Sequence, residues 1–202
     1  MRIVLASASP SRRMLLERAG VSPVVHPSSV DEEALIASLT GADPSEVVAA
    51  LARAKAAEVA PSYPSAVVIG CDSMLLLDGT LQGKPYTVEA TIARWREQRG
   101  KVAQLVTGHA IEYDGTWFIE TVSTAVRFGT PTDRDIEAYA RSGEPLTCAG
   151  AFTLEALGSW FIDSIDGDPS SVIGLSMPLV RRALYSFGLD ASSFWHTTHW
   201  PH

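Results

Sequence analysis

Apolar positions recur along the chain in two periods, and their order outlines a mixed α/β protein. "RIVLAS" (2–7) is a short β-branched run that reads as a buried strand. "SPSRRMLLERAG" (9–20) has the spacing of a helix, with Ser9 as N-cap, Pro10 in the first turn and Gly20 as stop. "VSPVVHP" (21–27) predicts a second strand, and the acidic-headed stretch "SSVDEEALIASL" (28–39) follows it. "DPSEVVAALARAKAAEVAP" (43–61) predicts a helix, capped at Asp43 or Ser45 and closed before Pro61.

"AVVIGCDSMLLLDG" (66–79) is the most apolar strand pattern, and "DGTLQGKP" (78–85) reads as a turn region leading to the helix "TVEATIARWREQRG" (87–100). Two long β stretches fill 101–128 and turn at Asp114-Gly115, so they predict an antiparallel hairpin. Thr132 opens and Gly143 closes another helix, "SWFIDSIDGD" (159–168) runs as a strand into a turn, and "SMPLVRRALYSFG" (176–188) supplies the last helix. The tail 190–202 has no clear period. No repeat or Gly/Ser linker interrupts the chain, which predicts a single domain over 1–202, or two intimate lobes, parallel-like at the start and antiparallel in the middle.

Composition narrows the functions. With 202 residues, 46% of them hydrophobic, the chain is long enough to bury a proper core. A net charge of −7 argues against a surface built to coat duplex nucleic acid, and disfavours a single-strand binder using the aromatic tail. Two cysteines, Cys71 and Cys148, make neither a disulfide framework nor a metal knuckle. No stretch reaches the roughly 18 apolar residues of a membrane span, and "IVLASA" is too short for a signal peptide, so a cytoplasmic protein is expected.

Several positions carry candidate chemistry. Arg12 and Arg13 stand in the first turn of a helix, where the backbone dipole disfavours cations by about 0.3–1 kcal/mol each. An anion gripped with the Ser7 and Ser9 hydroxyls and the turn's amides would offset that cost; a capped helix with solvated arginines is the plainer reading. Asp72 interrupts an apolar strand, and a buried carboxylate there needs a cation, a metal or water. Asp31, Glu32 and Glu33 suit a hard divalent cation or, more simply, a helix start. Lys55 lies on an apolar helix, where snorkelling to solvent is the usual explanation. "GTLQGKP" is no Walker loop, since three residues separate its glycines and Pro85 replaces the magnesium-binding hydroxyl; Lys84 remains a point charge suited to phosphate. His26 and His109 have no neighbours that suggest a catalytic pair, no nucleophile elbow is present, and the trio His196, His199 and His202 is a weak metal signal.

Together these segments resemble the Maf family of septum-formation-inhibitor-like nucleotide pyrophosphatases. "LASASPSRRMLL" is similar to its opening signature, "VDEE" to its acidic pair, "ARAKA" to its helix lysine, "GCDS" to its Gly-Ala-Asp-Thr core and "QGKP" to its Leu-Gly-Lys-Pro turn. "AGAFTLEALGSWFIDSIDGDPSSVIGLSMPLV" follows its C-terminal signature. The resemblance implies an elongated mixed sheet with flanking helices, related to the inosine-triphosphate pyrophosphatases, with a cleft between two lobes. It implies hydrolysis of nucleoside triphosphates to monophosphate and pyrophosphate with a divalent metal, Mg or Mn, as house-cleaning of modified or surplus nucleotides, with homodimers common among members. Carried over by position, Asp72 matches the proton acceptor. Asp31 or Glu32, Lys55 and Lys84 match the metal and phosphate set, with Asp72 as a further metal ligand; Ser7 with Arg12 matches the phosphate-gripping turn, and Ser9 and Arg13 stay beside them as substrate-binding candidates from the helix start itself.

Ser11, Ser73 and Glu155 fall where members differ by substrate. Ser11 replaces both the Arg of pyrimidine-preferring members and the Trp of those preferring 7-methylguanosine triphosphate. Ser73 replaces Thr conservatively, and Glu155 resembles the methylguanosine group. In "PLTCAGAF", Thr147 and Cys148 stand for an Asp-Lys pair, a loss of one charge-assisted contact worth about 1.5–3 kcal/mol. Cys148 is expected to be an inert thiol. The same departures motivate an alternative: a nucleotide-binding regulator linked to cell division with little or no turnover.

Overall fold

A computed structural model describes residues 1–196. The elements are β1 (Ile3–Leu5), α1 (Pro10–Arg18), β2 (Val24–Val25), α2 (Glu32–Ser38), α3 (Pro44–Val59), β3 (Val67–Leu77) and β4 (Thr80–Gln82). They continue with α4 (Val88–Gln98), β5 (Val102–Tyr113), β6 (Thr116–Phe128), α5 (Asp133–Arg141), β7 (Ile162–Asp166), α6 (Pro169–Ile173) and α7 (Met177–Ser186). Short 3₁₀ turns, concentrated between 144 and 161, join the later elements.

The strands hydrogen-bond in the order β2-β1-β3-β5-β6-β7, with β4 paired to β3. β1 runs parallel to both β2 and β3, whereas β3–β4 and β6–β7 are antiparallel. The mixed α/β fold expected from the hydrophobic pattern is therefore present. Asp114 and Gly115 both take positive φ, the backbone that a two-residue turn needs to match strand twist, and they join β5 to β6 as expected.

Three differences have physical reasons. Asp78 and Gly79 form the same kind of turn, so the expected turn region contains the hairpin β3–β4. The expected strand over 159–166 begins only at Ile162, because 157–161 winds into a 3₁₀ turn. The second strand keeps two residues of the expected seven, since Pro23 and Pro27 flank it and proline cannot donate to a ladder. The histidine trio ends outside the described residues.

The chain divides into two compact units. One comprises Met1–Asp72, Thr107–Thr121 and the stretch beginning at Gly174; the other comprises Ser73–Val106 and Val122–Ile173. In the first, the apolar stripe of α3 (Val48, Leu51, Ala52, Ala56, Val59) is buried, and Ala52, Ala56 and Val59 join a core with Val4, Ala6, Val68 and Ala110. Gly70 decides how near α3 comes: a Cβ there would lie 2.1 Å from the Ala52 carbonyl oxygen and 2.9 Å from the Ala56 Cβ. Gly108 on β5 is equally tight, 2.3 Å from the Val48 carbonyl. In the second unit, Trp95 is fully buried, edge-on to Phe128, Tyr139 and Phe161, and its indole N–H donates to the Ala151 carbonyl at 2.7 Å.

Gly70→Ala is expected to destabilise the fold by about 2–3 kcal/mol, since the helix backbone must retreat from β3. Urea unfolding of the variant measures it; an unchanged midpoint contradicts the close approach.

Candidate active site

The helix-to-sheet contact at Gly70 determines where a charge is buried. Gly70 and Asp72 are two apart on β3 and so face the same side of the sheet, toward α3. Lys55 lies on the buried stripe of α3, between Ala52 and Ala56, and cannot snorkel outward without rotating the helix. Its ammonium donates to the Asp72 carboxylate at 2.6 Å and lies 2.8 Å from the Glu32 carboxylate. Lys55 and Asp72 are 6% and 7% exposed, whereas the Glu32 side chain keeps 40%. Two carboxylates thus meet one ammonium, one deep and one reaching solvent. Removing one partner of such a pair leaves an uncompensated buried charge, at a cost of about 3–5 kcal/mol.

Asp31 takes another position. As N-cap of α2, its carboxylate accepts from the Ala34 amide at 3.0 Å and leaves Glu32 to reach Lys55. Among the described residues no three His, Cys, Asp or Glu gather in a cluster that would hold a metal. The expected acidic set is brought together as the pair Glu32 and Asp72, with Asp31 holding the helix that presents Glu32.

The arginines of α1 separate. Arg13 is exposed and pairs with Glu17 one turn on, at 2.7 Å. Arg12 is buried. Its Nε donates to the Gly174 carbonyl at 2.8 Å, and its Nη1 donates to the Ser7 hydroxyl and the Cys71 carbonyl, both at 2.9 Å. Protein oxygens thus offset the cation at this helix N-terminus. They also tie the end of β1 to the residue before Asp72 and to the segment leading into α7. Ser9 caps α1 by accepting from the Arg12 amide, and Ser11 is half-buried in the first turn. Ser73 follows Asp72 and so faces the opposite side of β3.

Sequence reasoning set His109 aside for want of a neighbouring partner and passed over Ser176. His109 is buried on β5, and its Nε2 accepts from the Ser176 amide at 2.9 Å, while the Ser176 hydroxyl accepts from Leu179 as cap of α7. This fixes the 174–176 segment that meets Arg12. A buried histidine on an apolar strand was the available signal, but its partner is 67 residues away.

The second unit gathers its own group. Lys84 is exposed in the turn after β4, which is held by a bond from the Tyr86 amide to the Leu146 carbonyl at 2.8 Å and by Arg94 donating to the Gly83 carbonyl. Cys148 follows, with its thiol directed to the Glu144 carbonyl. Burial, with the Glu155 and Glu144 charges, raises the Cys148 thiol to about 11 against the pull of Lys84. Burial likewise lifts Cys71 to about 11, opposed by Arg12 and aided by Asp72.

A family model described as Maf-like protein matches residues 2–187. The chain belongs to the Maf family. A relative from Corynebacterium efficiens is 67% identical over 195 residues, covering 96% of this chain and 99% of its own. One from Corynebacterium glutamicum is 65% identical, covering 97% and 100%, and one from Rhodococcus jostii is 52% identical, covering 95% of each. All three are named nucleoside triphosphate pyrophosphatase. No helix among the described residues is long and apolar enough to cross a membrane.

Both thiols are expected to stay protonated at pH 8, where a group titrating near 11 is about one part in a thousand thiolate. Alkylation of the native protein at that pH should run at least ~100-fold slower than after unfolding, and rapid labelling of Cys148 would contradict its burial.

Proposed function

We propose that this Maf protein hydrolyses nucleoside triphosphates to monophosphate and pyrophosphate, and that the Glu32–Lys55–Asp72 group is its reacting centre. The observation that carries the reading is the buried ammonium held 2.6 and 2.8 Å from two carboxylates, one of which reaches solvent. Attack of water on the α-phosphorus requires a proton acceptor and neutralisation of the charge that grows on departing pyrophosphate. Asp72, fixed by Lys55, is assigned the proton, and Lys55 the phosphate charge. Arg12 holds Ser7 and the backbone before Asp72 in place, with Ser7, Ser9 and Ser11 around the turn that receives phosphate.

The donor set fits a hard divalent cation. Such ions are commonly held by one or two carboxylates together with substrate phosphates, which matches Glu32 and Asp72 better than a cage of three protein ligands. A bound Mg or Mn ion would supply charge neutralisation for the triphosphate and a more acidic water. Lys84 is assigned a phosphate contact and Glu155 a contact that selects the nucleotide, on the strength of their family motifs. Removal of modified or surplus nucleotides in the cytoplasm is the role that suits this chemistry.

Purified protein with Mg or Mn is expected to release pyrophosphate from at least one member of a panel of canonical and modified nucleoside triphosphates. Chelation should stop it. Asp72→Asn, which leaves Lys55 its Glu32 partner, should lower kcat by about 10²-fold or more. Release of orthophosphate alone contradicts the reading, and tight nucleotide binding without turnover favours the regulator instead.

A further inference from the structure

Glu144 stands in the second unit, immediately after Gly143, whose φ of +82° ends α5. Its carboxylate gathers four donors. Oε1 accepts from the Tyr139 hydroxyl at 3.1 Å, the Thr153 hydroxyl at 2.5 Å and the Gly158 amide at 3.1 Å, and Oε2 accepts from the Leu157 amide at 3.1 Å. The knot is closed by two more bonds, from the Thr153 amide to the Tyr139 hydroxyl at 3.2 Å and from the Gly158 amide to the Thr153 hydroxyl at 3.2 Å. Gly158 is required for it, because a Cβ there would lie 2.4 Å from the Thr153 carbonyl oxygen and 2.6 Å from the Tyr139 hydroxyl oxygen.

The donors come from both ends of one turn. Thr153 begins it, Leu157 and Gly158 end it, and Glu155 lies between them. Tyr139 anchors the knot to the core through its edge contacts with Trp95 and Phe161. A carboxylate is suited to this task, since two oxygens offer about four acceptor sites and carry no competing donor. Burial works against its ionisation, but the bonds from Thr153, Leu157, Gly158 and Tyr139 together hold its pKa below the usual carboxylate range. It therefore stays charged throughout neutral pH.

We propose that Glu144 is a positioning residue for nucleotide selection: by closing the turn 153–158 on itself, it fixes where the Glu155 carboxylate is presented. The proposal rests on the assignment of Glu155 as a nucleotide contact. It makes nucleotide discrimination depend on a side chain that does not touch the nucleotide, and it explains why the short turn 153–158 donates three bonds to one carboxylate, with Tyr139 of α5 donating a fourth. Glu144 and Glu155 act in series, so loss of either should release the same constraint.

The test compares wild type, Glu144→Ala, Glu144→Gln, Glu155→Ala and the double variant Glu144→Ala/Glu155→Ala. Dissociation constants are measured by calorimetry for ATP, GTP, CTP, UTP and 7-methylguanosine triphosphate, alongside kcat and KM. Glu144→Ala is expected to reduce the ratio between the tightest and weakest nucleotide by tenfold or more, acting on KM with kcat within about threefold. Glu155→Ala should reduce the same ratio by a similar factor, and the double variant should add little to either. Glu144→Gln, which keeps one acceptor oxygen but turns an amide toward a backbone N–H, should fall between. Faster hydrogen exchange of the Leu157 and Gly158 amides in Glu144→Gln is expected as well, with the rest of the second unit unchanged.

Variants with lower melting temperature or lower kcat but unaltered nucleotide ratios overturn the proposal, as do additive effects in the double variant or a wild type that binds all five nucleotides alike. If wild type binds nucleotides selectively without releasing pyrophosphate, the pyrophosphatase reading fails while the binding ratios still decide the role of Glu144.

Discussion

The first unit is organised around an ammonium held against two carboxylates in a place where hydrocarbon would be cheaper. Lys55 occupies a position on α3 that its neighbours Leu51, Ala52, Ala56 and Val59 mark as buried. Desolvating a lysine and an aspartate costs several kcal/mol per ion, and their attraction offsets that cost only in good geometry. That geometry depends on residues without side chains to spare: Gly70 admits the helix backbone, and Ala52 and Ala56 keep its contact face thin. A well-packed apolar pair would serve stability as well or better. Retention of charge at this position therefore points to chemistry, and Glu32 is the member of the group that reaches solvent.

A second arrangement keeps that pair in register. Arg12 bonds to Ser7, to the carbonyl before Asp72 and to Gly174, and His109 holds the 174–176 segment through Ser176. The end of β1, the middle of β3 and the approach to α7 are thus linked by one guanidinium and one imidazole. The second unit uses a different device for a comparable purpose. There a carboxylate collects hydroxyl and amide donors to shape an irregular turn, on a base of aromatic rings around Trp95. Each device places polar groups through several hydrogen bonds to one charged or polar side chain, which gives one arrangement an advantage over its neighbours.

Much of this was legible in the sequence because periodicity exposes conflict. Asp72 in the middle of "VVIGCDSMLLL" demanded a partner, and the lysine on an apolar helix was its complement. The pattern could not decide between burial and snorkelling for Lys55, since that depends on how closely the helix lies, and Gly70 sets the distance. Arg12 and Arg13 are likewise adjacent letters pointing about 100° apart on a helix, so one entered the protein and the other met solvent and Glu17. The acidic head of α2 read as a cation site or a helix start; in the structure Asp31 caps the helix and Glu32 pairs with the Lys55 ammonium. The bonds that Glu144 collects could not be read from hydrophobic period, because its donors run from Tyr139 on α5 to Gly158 across an irregular stretch interrupted by 3₁₀ turns.

The most direct test of the central claim is a crystal structure with a non-hydrolysable nucleoside triphosphate and Mn, using the anomalous signal to place the ion. The account predicts Mn in contact with the Glu32 and Asp72 carboxylates, and the α-phosphate within reach of Asp72 and Lys55. An ion and triphosphate bound elsewhere, with the Lys55–Asp72 pair sealed from both, would contradict it.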